Sequence, residues 1–216
     1  MGREFTEQNF LRVSDELEEI NRVFEEDIDE VLVDNPDYPR IWLPPDRKIR
    51  LWSVPRTTAE FLRTQVLIKR PPTILELGTS AGYSALWMAA GAREYGGKVY
   101  TVEVARPKSD WAAENFEEAR LGQTIFQYVG WAEDILRRSW RGDTDFVFLD
   151  ADKPNYLKYM QLLEPYLTEG AVIIADNALD YGDLMQDYLN YITTSPDYYS
   201  YLLRIDHGLM ISVKLR

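Results

Sequence analysis

The chain predicts an α/β fold: a seven-stranded, mostly parallel sheet with one antiparallel strand and helices on both faces. Three observations predict it. From Thr73 onward, apolar runs of strand length alternate with helical stretches, a pattern that implies parallel strands joined by helical crossovers. The stretch Thr73-Ile-Leu-Glu-Leu-Gly-Thr-Ser-Ala-Gly-Tyr-Ser84 reads as a buried strand that enters a glycine-bearing turn and opens a helix. The last two strand-like runs lie only a few residues apart, with His207-Gly208 between them. That spacing suits a hairpin and is too short for a crossover.

Taken in order, the first element is acidic. Between Ser14 and Asp34 there are ten acids and one base, Arg22. Val13, Leu17, Ile20, Phe24, Ile28 and Val31 recur at spacings of three and four, which is one apolar face of a helix. Ser14 is its expected N-cap, and Asp15 and Glu16 suit its first turn. The acids then read as its solvated face. Five prolines, Pro36, Pro39, Pro44, Pro45 and Pro55, predict an extended or looped segment over 35–55. A helix over 57–69 follows, and Pro71-Pro72 ends it.

The first core strand starts at Thr73. Further strands are expected at 99–104, 125–129, 145–150 and 171–176, with helices over 81–95, 108–120, 131–139 and 154–167. A helix over 182–194 leads into the hairpin of 198–205 and 209–214. The 216 residues fit one domain. Residues 1–70 would supply accessory helices and a lid segment, and 71–216 the ligand-binding α/β core.

Composition excludes several chemistries. There is no cysteine, so disulfides, thiolate nucleophiles and cysteine metal sites are ruled out. A single histidine, His207, rules out a histidine cluster. The net charge of −12 disfavours nonspecific contact with nucleic acid or anionic membranes. No apolar run is long enough to span a bilayer, and the first residues lack the apolar core of a signal peptide. A cytoplasmic protein is expected.

The chemistry is concentrated at predicted strand ends, where ligands of parallel sheets bind. Gly78 and Gly82 let the first turn approach a ligand closely, and the following helix offers its free N–H groups. Their G-x-x-x-G spacing is not the dinucleotide fingerprint, which argues against a dehydrogenase. Glu76 instead suits a ligand with an amine, such as the methionine end of S-adenosylmethionine. Glu103 ends the second strand 25 residues after Gly78. It could hold ribose hydroxyls or be a solvated strand terminus.

Gly130-Trp-Ala-Glu-Asp134 follows the third strand, and its amides and Glu133 could read an adenine edge. The fourth strand delivers Asp150, and the fifth Asp176-Asn177. Two neighbouring carboxylates and an amide oxygen make an all-oxygen site for a hard cation such as Mg²⁺. They could also simply cap the helices that follow. Lys153 reads from the residues alone as a surface lysine paired with Asp152 or Asp150.

Together these motifs resemble the cation-dependent class I O-methyltransferases, the group that contains catechol and caffeoyl-CoA O-methyltransferases. The resemblance runs from about Trp52 to the C-terminus. It rests on the order and spacing of Glu76-Leu-Gly-Thr-Ser-Ala-Gly-Tyr-Ser84, Glu103, Gly130-Trp-Ala-Glu-Asp134, Asp150-Ala-Asp-Lys153, Asp176-Asn177 and Gly208-Leu-Met-Ile-Ser-Val-Lys214. It implies a Rossmann-like methyltransferase sandwich and S-adenosylmethionine as cofactor. Glu76, Gly78, Tyr83, Ser84 and the Val54 backbone would surround the methionine part. Glu103 would hold the ribose, and Ala132 and Glu133 the adenine.

The resemblance also assigns the metal and the base. Asp150, Asp176 and Asn177 would bind Mg²⁺ or another divalent cation such as Mn²⁺ or Ca²⁺, with Asp150 also facing the cofactor. Lys153 would be the general base. Trp52-Ser-Val-Pro-Arg-Thr-Thr58 sits where the family places a loop over cofactor and acceptor, and Trp42 and Trp52 are the lid candidates.

Three positions depart from the family pattern: Tyr199-Ser-Tyr201-Leu carries no acid, Asp152 replaces an aromatic residue before the lysine, and His207-Gly208 replaces an Asp-Gly turn. They bear on the acceptor and leave the metal and cofactor residues intact. The expected reaction is methyl transfer to a hydroxyl of a catechol-like small molecule. A tRNA wobble hydroxyuridine acceptor and a non-catalytic cofactor-binding protein are the alternatives. A homodimer is expected from the family. The tyrosines of 181–201 would serve packing or an interface more than an acceptor pocket.

Overall fold

A computed structural model of the chain describes residues 4–20, 25–27 and 46–216. In chain order the elements are α1 (Glu7–Ile20), β1 (Glu25–Asp27), β2 (Lys48–Arg50), α2 (Arg56–Lys69), β3 (Thr73–Leu77), α3 (Tyr83–Ala92) and β4 (Lys98–Glu103). Then follow α4 (Arg106–Glu118), β5 (Ile125–Val129), α5 (Ala132–Arg138), β6 (Thr144–Leu149), α6 (Tyr156–Leu163), β7 (Leu167–Ala175), α7 (Gln186–Thr194), β8 (Tyr198–Leu203) and β9 (Leu209–Lys214). Short 3₁₀ turns flank α3, α6 and α7.

Seven strands form one sheet in the order β5-β4-β3-β6-β7-β9-β8. β5, β4, β3, β6 and β7 are parallel, and β9 pairs antiparallel with both β7 and β8. The core strands alternate strictly. Ile74, Phe146, Phe148 and Ile174 face a core built with α1, α2, α3 and α4. Leu75, Leu77, Val147, Leu149 and Ile173 face a second core built with α5, α6 and α7. Burial on both faces explains why these strands read as continuous apolar runs.

The register sets up the site. Leu77 is level with Val102 on one side and Leu149 on the other, and Leu149 is level with Ala175. The ladder continues one residue beyond the strands: Gly78 N–H donates to Val102 O at 2.9 Å, Asp150 N–H to Leu77 O at 2.9 Å and Asp176 N–H to Leu149 O at 3.0 Å. Gly78, Asp150 and Asp176 therefore emerge as neighbours on one edge. The chain leaves β3 toward β4 and returns beside β3 as β6, so this edge includes the point where strand order reverses.

The N-terminal helix differs from expectation. It begins at Glu7, with the Thr6 hydroxyl accepting the Asn9 N–H at 3.1 Å as its N-cap. Ser14 is no cap: it is buried mid-helix and accepts a hydrogen bond from Trp87 Nε1 at 3.0 Å. The helix does not continue through 25–27. There the acids join a two-stranded ladder with β2, where Asp27 pairs with Lys48 and Glu25 with Arg50. The rest of the predicted helix, including Phe24, Ile28 and Val31, and most of the proline-rich segment with Trp42 lie outside the described residues. Among the described residues no helix is long and apolar enough to cross a membrane.

Candidate active site

A cavity of about 460 Å³ opens at the carboxyl ends of β3, β4, β6 and β7, a size suited to a small-molecule site. One half is made by the β3–α3 turn. Gly78 has φ +102°, and a Cβ there would lie 2.1 Å from the Asp150 carbonyl oxygen. Only glycine lets this turn run so close to the end of β6. Gly82 has φ +88° and packs on Phe116. It starts α3, whose residues Tyr83 and Ser84 line the cavity.

Glu103 lines the same half and is nearly buried. Its Oε2 accepts the Ser80 N–H at 2.8 Å and its Oε1 the Ala105 N–H at 2.9 Å. Both oxygens keep lone pairs for a ligand. Ala132 closes this half from the start of α5, and Val54 from the segment before α2.

The other half carries the predicted metal and base residues. Asp150, Lys153, Asp176 and Asn177 all line the cavity. Lys153 Nζ donates to Asp150 Oδ1 at 2.7 Å, with both side chains largely buried. Asp176 is 3% exposed, and its Oδ1 has no hydrogen-bond partner. Burial, with Asp150's charge adding to it, pushes the Asp176 carboxyl up to about 7. Asn177 has φ 64°, a left-handed conformation that turns the chain directly after Asp176.

These residues fit a divalent cation. Asp150 and Asp176 are carboxylates at adjacent strand ends, one with an orphaned buried oxygen, and a bound cation would offset their desolvation and mutual repulsion. The amide oxygen of Asn177, which lines the same end of the cavity, would be a third hard-oxygen donor. Among the described residues there is no cluster of three or more Asp, Glu or His groups disposed as a metal cage.

Two predicted residues stand apart from the cavity wall. Glu76 is fully buried and lies on the sheet face covered by α3. Its Oε1 accepts from Ser84 Oγ at 2.5 Å and its Oε2 from Thr101 Oγ1 at 2.6 Å. Desolvation pushes this carboxyl up to about 8 despite both bonds. It supports Ser84 from beneath the cavity. Glu133 pairs with Arg137 at 3.0 Å and with Lys158, and those pairs hold its carboxyl below its ordinary range.

Residues with no assigned role also line the cavity. Lys108 lines it from the first turn of α4. His207 and Asp180 line its outer end, with Nδ1 2.5 Å from Asp180 Oδ2. Asp152 also lines it and is held by Tyr159 and Asn155. Of the tyrosines in 181–201, only Tyr181 lines the cavity. Tyr188 and Tyr198 are core residues, and Tyr199 and Tyr201 are exposed on the edge strand β8.

Known proteins resemble this chain in sequence and in fold. A catechol O-methyltransferase of Niastella koreensis is 34% identical over 138 residues, covering 62% of this chain and 62% of the relative. One of Mycobacterium tuberculosis is 35% identical over 114 residues, covering 53% of this chain and 51% of the relative. The matches thus span about half to three-fifths of the length of these curated relatives. The crystal structure of an O-methyltransferase from Bacillus cereus in complex with SAH superposes with a TM-score of 0.71 at 27% identity, covering 94% of this chain and 97% of that one. The family model described as O-methyltransferase matches residues 46–205, from just before β2 to just after β8, and the chain belongs to the O-methyltransferase family.

Proposed function

We propose that the chain transfers a methyl group from S-adenosylmethionine to a hydroxyl of a catechol-like small molecule, with a divalent cation at Asp150, Asp176 and Asn177. One observation carries the reading. A single cavity holds the glycine turn and Glu103 on one side, and on the other two adjacent strand-end carboxylates with a lysine 2.7 Å from one of them. A cation held there would lower the acceptor's pKa and fix two vicinal oxygens.

The chain's own residues do the rest. Glu103 accepts hydrogen bonds from the ribose with the lone pairs left by Ser80 and Ala105. The β3–α3 turn and Ser84 seat the methionine part. Lys153 takes the acceptor's hydroxyl proton at Nζ and releases it to water afterwards. The oxygen–carbon bond forms as the sulfur–carbon bond breaks, so the sulfonium becomes a neutral thioether. Aligning those three atoms is a positioning task, and a walled cavity at rigid strand ends performs it.

The test is S-adenosylhomocysteine production from a panel of catechols and caffeoyl esters, with Mg²⁺ and with EDTA. Turnover that EDTA abolishes supports the reading. Binding of S-adenosylmethionine without turnover of any catechol contradicts the acceptor class.

A further inference from the structure

Three electrostatic penalties meet at Lys108. It lies in the first turn of α4, at the positive end of the helix dipole. It is only 5% exposed, and burial lowers the pKa of its amine. No carboxylate lies within ion-pair distance of it among the described residues, although Glu103 and Asp150 favour its charged form from further away.

Among the described residues, the hydrogen bond and the ring contact of Lys108 both go to the segment that walls the cavity beside Val54. Its Nζ donates to the carbonyl oxygen of Arg50 and lies 5.9 Å from the centre of the Trp52 ring, within reach of a cation–π contact. Ile49, Trp52, Ser53 and Val54 of that segment line the cavity, as does Lys108 itself. On the outside, the same segment is tied by pairs open to water: Lys48–Asp27 at 2.9 Å, Arg50–Glu25 at 3.2 Å and Arg50–Asp46 at 2.6 Å. Such exposed pairs contribute little and are screened by salt. Leu51 and Val54 pack into the core beneath, and the Lys108 bond adds a polar tie that is shielded from water and so is harder to replace.

We infer that Lys108 is a positioning residue that fastens residues 49–54 over the cofactor half of the cavity, through the Arg50 carbonyl and the Trp52 ring. It acts on the wall and does not touch the reacting atoms. The inference rests on the cofactor reading proposed above.

The test uses Lys108→Met, which keeps the stem and removes the donor and the charge, together with Trp52→Leu and the double variant. S-adenosylhomocysteine affinity is measured by calorimetry, and amide hydrogen exchange is followed along the chain. Each single variant should bind about tenfold more weakly, and the double variant little more weakly than either, because both break one fastening. Exchange should quicken at 49–54 while β3 and α3 keep their protection.

Unchanged affinity and exchange in Lys108→Met would overturn the inference, as would faster exchange throughout the chain. If Lys108→Met fails to fold, Trp52→Leu decides at an exposed position: local quickening with weaker binding supports the fastening, and wild-type behaviour overturns it. A wild-type chain that binds no S-adenosylhomocysteine would overturn the cofactor reading itself, and this inference with it.

Discussion

Lys153 Nζ sits 2.7 Å from Asp150 Oδ1, with only 13% and 18% of the two side chains exposed. The pair joins the predicted base to a predicted metal ligand at the end of β6. Replacing Lys153 by Met should lower kcat by a factor on the order of 10² to 10⁴, the range for a lost acid–base group. S-adenosylhomocysteine affinity should stay within about threefold, because the Lys153 side chain lies at the Asp150–Asp176 end of the cavity and Glu103 holds the ribose end. Stopped assays for kcat and calorimetry for binding separate the two effects. Equal losses in both would show that Lys153 holds ligand and does not move a proton.

Glu76 makes stability depend on pH. Its carboxyl is pushed from an ordinary 4.5 up to about 8 by burial. Between those values the folded chain holds a proton that the unfolded chain has lost, so this group's contribution to stability falls as pH rises. The slope is about 1.4 kcal/mol per pH unit at most. Thermal melts from pH 5 to pH 8.5 should therefore show Glu76→Gln gaining on the wild type as pH increases. Parallel curves would mean that Glu76 is ionised throughout.

Gly78→Ala should damage the site more than its size suggests. The new methyl would lie 2.1 Å from the Asp150 carbonyl oxygen, at a φ of +102°. Either β6 shifts or the turn does, and both move cavity walls. A loss of about 2 kcal/mol or more in stability is expected from the strained backbone and the clash. S-adenosylhomocysteine affinity should fall at least tenfold. Urea unfolding and calorimetry on one preparation test both parts.

Ser14→Ala should loosen α1 where it packs on α3, one side chain away from the cavity-lining Tyr83. The Ser14 hydroxyl accepts from the buried Trp87 Nε1, and removing it leaves that donor unpaired at about 1–3 kcal/mol. Stability should drop by that order while kcat is kept. A kcat loss equal to that of a site variant would link α1 to the chemistry.

The strand ends at the cavity were legible because β3, β4, β6 and β7 are mostly apolar runs closed by Gly78, Glu103, Asp150 and Asp176. Period and punctuation therefore placed most of the cavity. Glu76 was harder. Along β3 it alternates with Leu75 and Leu77, which puts it on the α3 face, and sequence spacing alone did not reveal that Ser84 and Thr101 would enclose it. Glu133 reads in the sequence as facing adenine, and its pairs with Arg137, one helical turn away, and with Lys158 on α6 are not visible there. The first helix was misplaced because the acids at 25–27 fit a helical surface as well as a charged ladder, and their partners Lys48 and Arg50 lie over twenty residues on. Lys108 did leave a sequence signal, a lysine in the first turn of a helix just after a strand-end acid, where its charge opposes the dipole.

Methyl transfer is proposed to depend on a cation at the Asp150–Asp176 end of the cavity. The most direct measurement is a Mg²⁺ titration of metal-stripped protein, following S-adenosylhomocysteine formation from a catechol in the wild type and in Asp176→Asn. Saturable activation from a near-zero baseline in the wild type, with little or none in the variant, is the predicted result. Full turnover by the stripped wild type, or equal activation of both proteins, would contradict it.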